Sequence, residues 1–401
     1  MTGERKTCRP LLALAAATLV LGGCGIFGDE EDEALQPKPL QELKATLPVE
    51  RAWSANVGGG SEFLRLALAP AGDGERVYAA SRDGRVTAFD PANGRRLWQV
   101  RLDLPLSAGP GAGRDRVVVA SSNGWLVCLR AEDGGEVWRR FIGGESVATP
   151  IIADRSVVAY TIDGTLRVHS LLDGSERWTL EQNLPPLTLR GSAPPVVAGT
   201  TVIAGFDNGR VVATGLHDGQ TRWEVVLSPP SGRSDLERLS DIDGTMAVVG
   251  QDLYATGYQG QTAALAVESG QILWARDIST HVGLAADAAN VYIVSDTGEV
   301  IAMNRRTGAE RWRQDALLRR KPTAPVVWDG VVAVGDLEGY VHFFSTQDGS
   351  PVARERIDKR MLSAAPVVVG DRLFAQSESG RLAAFAIERP EQAAATGDRG
   401  R

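Results

Sequence analysis

Three cysteines, Cys8, Cys24 and Cys128, are the only thiols in the 401 residues. None forms a Cys-x-x-Cys pair, so their spacing supports neither a zinc site nor a redox couple. His169, His217, His281 and His342 are scattered and read as surface or core imidazoles rather than metal ligands. Neither His-Glu-x-x-His nor Gly-x-Ser-x-Gly occurs. The run Gly109-Pro110-Gly111-Ala112-Gly113 is rich in glycine, but a strand pattern follows it, whereas a phosphate cradle opens a helix. Acidic pairs fall in turns and read as turn formers. No catalytic residue, cofactor or metal is assigned on these grounds. The net charge of −7 argues against nucleic acid, whose phosphates call for a basic footprint.

The N-terminus reads as an address. Arg5, Lys6 and Arg9 precede an apolar run of 11 residues, Leu11 to Leu21, too short to span a bilayer. The run ends in Leu21-Gly22-Gly23-Cys24, which resembles the lipobox of bacterial lipoproteins. That resemblance implies a signal peptide over 1–23 and acylation of Cys24. The alternative is an ordinary signal peptide with a chance cysteine. Against it, Cys24 follows the small pair directly and no other cysteine is nearby. Gly25, where an Asp resembles an inner-membrane retention signal, implies the outer membrane and its periplasmic face. Residues 24–47 are acidic and contain proline, and they read as a flexible lipid-anchored linker. The tail 389–401 reads as disordered.

Between these ends the chain repeats with a period of about forty residues. First-turn glycines fall at Gly84, Gly124, Gly164, Gly209, Gly260, Gly298, Gly339 and Gly380. A second glycine follows ten residues later in seven copies, from Gly94 to Gly349, and in six a Trp stands four residues beyond it. In the seventh copy that slot holds Ala353. Both turns are expected to need positive φ, the glycine conformation. With a further apolar segment before most copies, each repeat makes four strands. Such units cannot bury their faces alone but can do so arranged radially. The expected fold is all-β: an eight-bladed β-propeller of four-stranded antiparallel blades over 48–388. The eighth copy lacks a last strand, and the segment around Trp53 is expected to supply it and close the ring.

The repeat, typified by Asp90 to Trp98, resembles that of the pyrroloquinoline-quinone (PQQ) dehydrogenases. With the lipobox and eight blades, the chain resembles the B-subunit lipoproteins of the outer-membrane β-barrel assembly machinery. Leu187-Thr188-Leu189-Arg190-Gly191 and Arg238-Leu239-Ser240-Asp241-Ile242-Asp243 match two family segments. The resemblance implies a non-catalytic scaffold whose Leu187, Leu189, Arg190, Asp241 and Asp243 bind the periplasmic POTRA domains of the central barrel subunit. Contact with nascent outer-membrane proteins is a further implied role. Repeat spacing is longest, 45 and 51 residues, at these two segments, which puts both in extended loops on one rim. The residues alone leave a second reading open, in which the leucines fold inward and Arg190 braces Asp243. Two rival functions also stand. A PQQ-dependent oxidoreductase would need a calcium cradle and a base, and those dehydrogenases are generally longer, with a vicinal cysteine pair. The other rival is an envelope propeller with a different protein partner.

Overall fold

The computed structural model describes residues 36–59, 61, 64, 66–146, 148–189, 193–230, 233–234 and 236–388. The signal peptide, Cys24, Arg190 and the tail 389–401 lie outside the described residues.

The repeats fold into eight separate four-stranded antiparallel sheets, and no helix occurs among the described residues. Blade 1 is made by Ala71–Gly72, Val77–Ala80, Arg85–Phe89 and Arg96–Arg101. Blades 2 to 7 follow in chain order on the same plan and end with Pro351–Arg356. Blade 8 combines Val367–Val369, Arg372–Gln376 and Arg381–Ile387 with Val49–Asn56 from the start of the chain. Val49 pairs with Ile387 and Asn56 with Arg381, so first and last segments close the ring as expected. First strands of neighbouring blades meet around the inside of the ring.

The second and third strands of each blade are buried on both faces, which explains runs such as Val117-Val118-Val119-Ala120. The core is a series of layers between blades. Tyr78 and Val86 of blade 1, for example, pack with Val117, Val119 and Val127 of blade 2.

The repeated tryptophans stitch blade to blade. Trp53 Nε1 donates to the Pro91 carbonyl at 2.9 Å, Trp98 to Ala131 at 2.8 Å and Trp138 to Leu171 at 3.0 Å. Trp178, Trp223, Trp274 and Trp312 donate in the same way to the next blade. Each ring also lies on the second-turn glycine of that blade. A Cβ at Gly94 would stand 2.6 Å from the Trp53 ring, and one at Gly174 2.6 Å from the Trp138 ring. These glycines are needed twice, for positive φ (73° at Gly94) and for the ring above them. In blade 7, where Ala353 replaces the tryptophan, Trp328 of the first strand reaches the Asp371 carbonyl of blade 8 at 3.0 Å.

Two expectations meet a different local structure. Blade 5 places positive φ on Gln259 (49°) rather than on Gly260. Gly260 is needed for space, because a Cβ there would collide with Ser228. The reading of the linker as flexible up to residue 47 also differs from what is found. From Gln36 onward the segment is strapped along blade 7. Lys38 N–H donates to Leu318 O at 3.0 Å, and Thr46 and Leu47 N–H donate to Val352 O at 2.9 and 3.2 Å. Leu40 packs against the core between blades 6 and 7. Composition gave no sign of this, since the partners are backbone carbonyls and distant arginines.

Candidate functional site

Each chain segment leaving a fourth strand folds back on the first turn of its own blade. Leu102 N–H donates to Gly84 O at 2.9 Å, Ile142 to Gly124 at 2.8 Å, Gln182 to Gly164 at 3.1 Å and Leu227 to Gly209 at 2.9 Å. Links between blades and first turns therefore share one rim. The link between blades 3 and 4 covers 182–195, and that between blades 4 and 5 covers 227–246. Asn208, in the first turn of blade 4, donates to Gln182 Oε1 at 3.3 Å and to Asn183 O at 3.2 Å. A groove of about 420 Å³ lies here, lined by Gln182, Asn183, Asn208, Arg210, Val226 and Pro230 among others.

Asp241 ties the two links together. Its carboxylate accepts the Leu189 N–H, and its carbonyl accepts the Tyr258 N–H of blade 5 at 2.8 Å. Ile242 is fully buried and its N–H donates to Phe206 O at 3.3 Å. A Cβ on Gly205 would occupy the place of the Ile242 side chain, so glycine there lets the link press onto blade 4.

Beneath the links lie three carboxylates, Asp207, Asp241 and Asp243, all buried, with the Tyr160 hydroxyl. Burial, reinforced by Asp241, pushes Asp207 up to about 7. Burial raises Asp241 to about 6 against the opposing hydrogen bond from Leu189. Asp243 is held well above the ordinary carboxylate range by burial, then by Asp207 and Asp241. The Tyr160 phenol is raised in turn by burial and by these acids. Each carboxylate has an Oδ1 with no hydrogen-bond partner among the described residues. Desolvation is the leading cause of all these shifts, and repulsion between the acids adds to it at Asp207 and Asp243.

The five residues singled out from the sequence thus have different places. Leu187 is 43% exposed, Leu189 is half-buried, Asp241 is fully buried and Asp243 is 9% exposed. Arg190 follows Leu189 in the chain and lies outside the described residues. The aspartates join the two links from below, and only Leu187 of the described four stands well out from the surface. Sequence reading missed Leu236, 65% exposed on the second link, and Asp207 and Tyr160 beneath. Asp207 stands before Asn208-Gly209, where it reads as another turn residue, and nothing local marks its burial.

Among the described residues no group of three or more His, Cys, Asp or Glu is placed to hold a metal ion. His169 is buried with Nδ1 3.1 Å from Gly174 O, and His342 is buried with Nε2 3.0 Å from Asp336. Cys128 is buried within blade 2, its thiol pushed up to about 12 by burial, which makes it unreactive.

A family model described as outer membrane protein assembly factor BamB matches residues 49–102, 82–314 and 297–393. The protein of that name from Alkalilimnicola ehrlichii is 42% identical over 384 residues, covering 96% of this chain and 98% of that protein. The crystal structure of BamB from Moraxella catarrhalis superposes with a TM-score of 0.77 at 28% identity, over 84% of this chain and 100% of that one. Quinohemoprotein alcohol dehydrogenase from Comamonas testosteroni reaches a TM-score of 0.66 at 13% identity, over 86% and 78% of the two chains, a likeness of fold alone.

Proposed function

The chain belongs to the BamB family of outer membrane protein assembly factors, and from that premise we propose that it is a non-catalytic scaffold of the outer-membrane β-barrel assembly complex. It is anchored by lipid on Cys24 at the periplasmic face of the outer membrane. It binds the periplasmic POTRA domains of the central barrel subunit through the rim of blades 3 to 5, and so assists folding and insertion of outer-membrane proteins. The observation that carries this reading is the joined pair of links. Leu189 and Asp241 hold two irregular segments as one unit, with Leu187 and Leu236 exposed on it. An apolar anchor in polar surroundings, on a braced backbone, is the usual build of a binding hot spot. Leu187 and Arg190 act as contacts in this reading. Leu189, Asp241 and Asp243 set the shape of the surface.

The likeness to the quinone dehydrogenase is one of fold alone, whereas the relative matched over nearly its full length is an assembly factor, and this favours a scaffold over a quinone enzyme.

The test is binding of the soluble protein to the purified periplasmic domains of the barrel subunit. Leu187→Asp and Arg190→Glu are each expected to weaken binding at least about tenfold, as hot-spot truncations do, with melting temperature unchanged. Full binding by both folded variants would reject this rim.

A further inference from the structure

We infer that the rim of blades 6 to 8 is a membrane-facing surface whose exposed cations engage the phosphate groups of anionic phospholipid. It rests on the lipid-anchor reading above. The observation behind it is where the strap begins. Arg319 Nε donates to Gln36 O at 2.7 Å, Arg320 to Lys38 O at 3.2 Å and Arg354 to Gln41 O at 3.0 Å. Lys38 also pairs with Asp315 at 2.8 Å. Three arginines and an ion pair thus fix the point at which the chain reaches the propeller, beside the link between blades 6 and 7.

Cys24 stands 12 residues before Gln36. Such a stretch spans at most about 40 Å fully extended. A lipid on Cys24 would therefore keep this side of the ring close to the bilayer, at a high effective concentration. Blade 7 lies opposite blade 3 in a ring of eight. The links held near the membrane share a rim with the links proposed to bind the partner, but lie across the ring from them.

The charge on this side suits that neighbour. Arg319 and Lys321 are exposed on the link between blades 6 and 7, and Lys359 and Arg360 on that between blades 7 and 8. The two links flank one turn. Leu337 N–H donates to Arg320 O at 3.1 Å on one side, and Gly339 lies against Asp358 and Arg360 on the other. Acids lie among these cations, each with a hydrogen-bond partner of its own. Asp336 accepts Arg320 at 2.8 Å, Glu338 pairs with the same guanidinium, and Asp358 accepts Ser377 at 2.7 Å and also Ser379. Lys321 and Arg360 have no side-chain partner among the described residues. With Lys38, Arg319, Arg320, Lys321, Lys359 and Arg360 against Asp315, Asp336, Glu338 and Asp358, these links and their turn carry an excess of two positive charges in a chain of net charge −7.

Backbone strain points the same way. Arg319 and Lys321 both adopt positive φ, 59° and 51°. Two side-chain-bearing residues held there persist only where the surroundings dictate it. Buried Arg320 between them does so, turned inward onto Asp336 while its neighbours stand exposed.

The experiment is flotation of the unlipidated chain from Gly25 onward, which retains every described residue, with phosphatidylcholine vesicles with or without added phosphatidylglycerol. Binding is expected only to the anionic vesicles, with release at about 0.5 M salt, where screening is short-ranged. Reversing Lys321, Lys359 and Arg360 together to Glu is expected to weaken it at least about tenfold, since each cation near an anionic surface contributes. The matched reversal Arg95→Glu, Arg222→Glu and Arg306→Glu, at second turns and fourth-strand starts, preserves net charge relative to that variant and is expected to retain binding. Equal loss in both triple variants, no binding to anionic vesicles, or equally tight binding to polyglutamate would overturn the assignment. Acylation of Cys24 is read separately, from the mass of the mature chain extracted from membranes, so failure of the anchor and failure of the surface are told apart.

Discussion

At the scale of single residues, the informative group is the buried acid set below the two links. Asp207 rises to about 7 and Asp241 to about 6, from an ordinary value near 3.8. A carboxyl with a raised folded-state pKa binds its proton more tightly in the native state. Stability is therefore highest below the unfolded value and is lost as pH climbs from about 4 towards about 7. Among the described residues, the titratable groups around Asp207 are Asp241, Asp243 and Tyr160. Asp207→Asn is expected to stabilise the protein at pH 8 by on the order of 2 kcal/mol more than at pH 5. Denaturant titrations of parent and variant at the two pH values check this. A difference independent of pH would mean that Asp207 does not titrate in that window. Asp241→Ala is expected to release the Leu189 N–H and loosen both links. Faster amide exchange at Leu189, with protection of blade strands kept, is the measurement.

At the scale of the blade, stability resides in the joints. Trp138 is 5% exposed, lies over Gly174 and donates to Leu171. Trp138→Ala is expected to cost roughly 3–5 kcal/mol, the range for a buried aromatic cut to a methyl, read from chemical denaturation. Gly174→Ala is expected to be costly too, since a Cβ there meets the same ring at 2.6 Å while the backbone holds φ at 71°. This level was the most legible in the sequence. Glycines ten residues apart and a Trp four further on fix two turns and a joint, and eight copies fix the blade count. Closure by the Trp53 segment was legible because the eighth copy lacks a strand. Less could be read where the interaction is not periodic. The strap of residues 36–47 is held by carbonyls, and Arg320 and Arg354 are remote in the chain. Asp207 looks like any residue before Asn-Gly until the next link folds over it. Likewise Asp241 and Asp243 were marked by resemblance as binding residues, and nothing in the local sequence marks them as buried.

At the scale of the whole molecule, the proposed partner surface, on the links around blades 3 to 5, and the proposed route to the lipid, through the strap on blade 7, lie across the ring from each other. A closed ring has no free blade at which to begin unfolding, so the segment Val49–Asn56 matters beyond its own length. Removing residues up to Asn56 would leave blade 8 with three strands and Trp53 absent from its place over Gly94. Such a truncation is expected to lower the melting temperature and to expose the outer face of Arg381–Ile387, checked by calorimetry and by proteolysis within blade 8. Binding at the links around blades 3 to 5 is read most directly from backbone amide exchange across the propeller with and without the POTRA domains of the barrel subunit. Added protection is expected in both 182–195 and 227–246 together, with the blade 7 edge unchanged. Protection confined to another rim, or in only one of the two links, would contradict it.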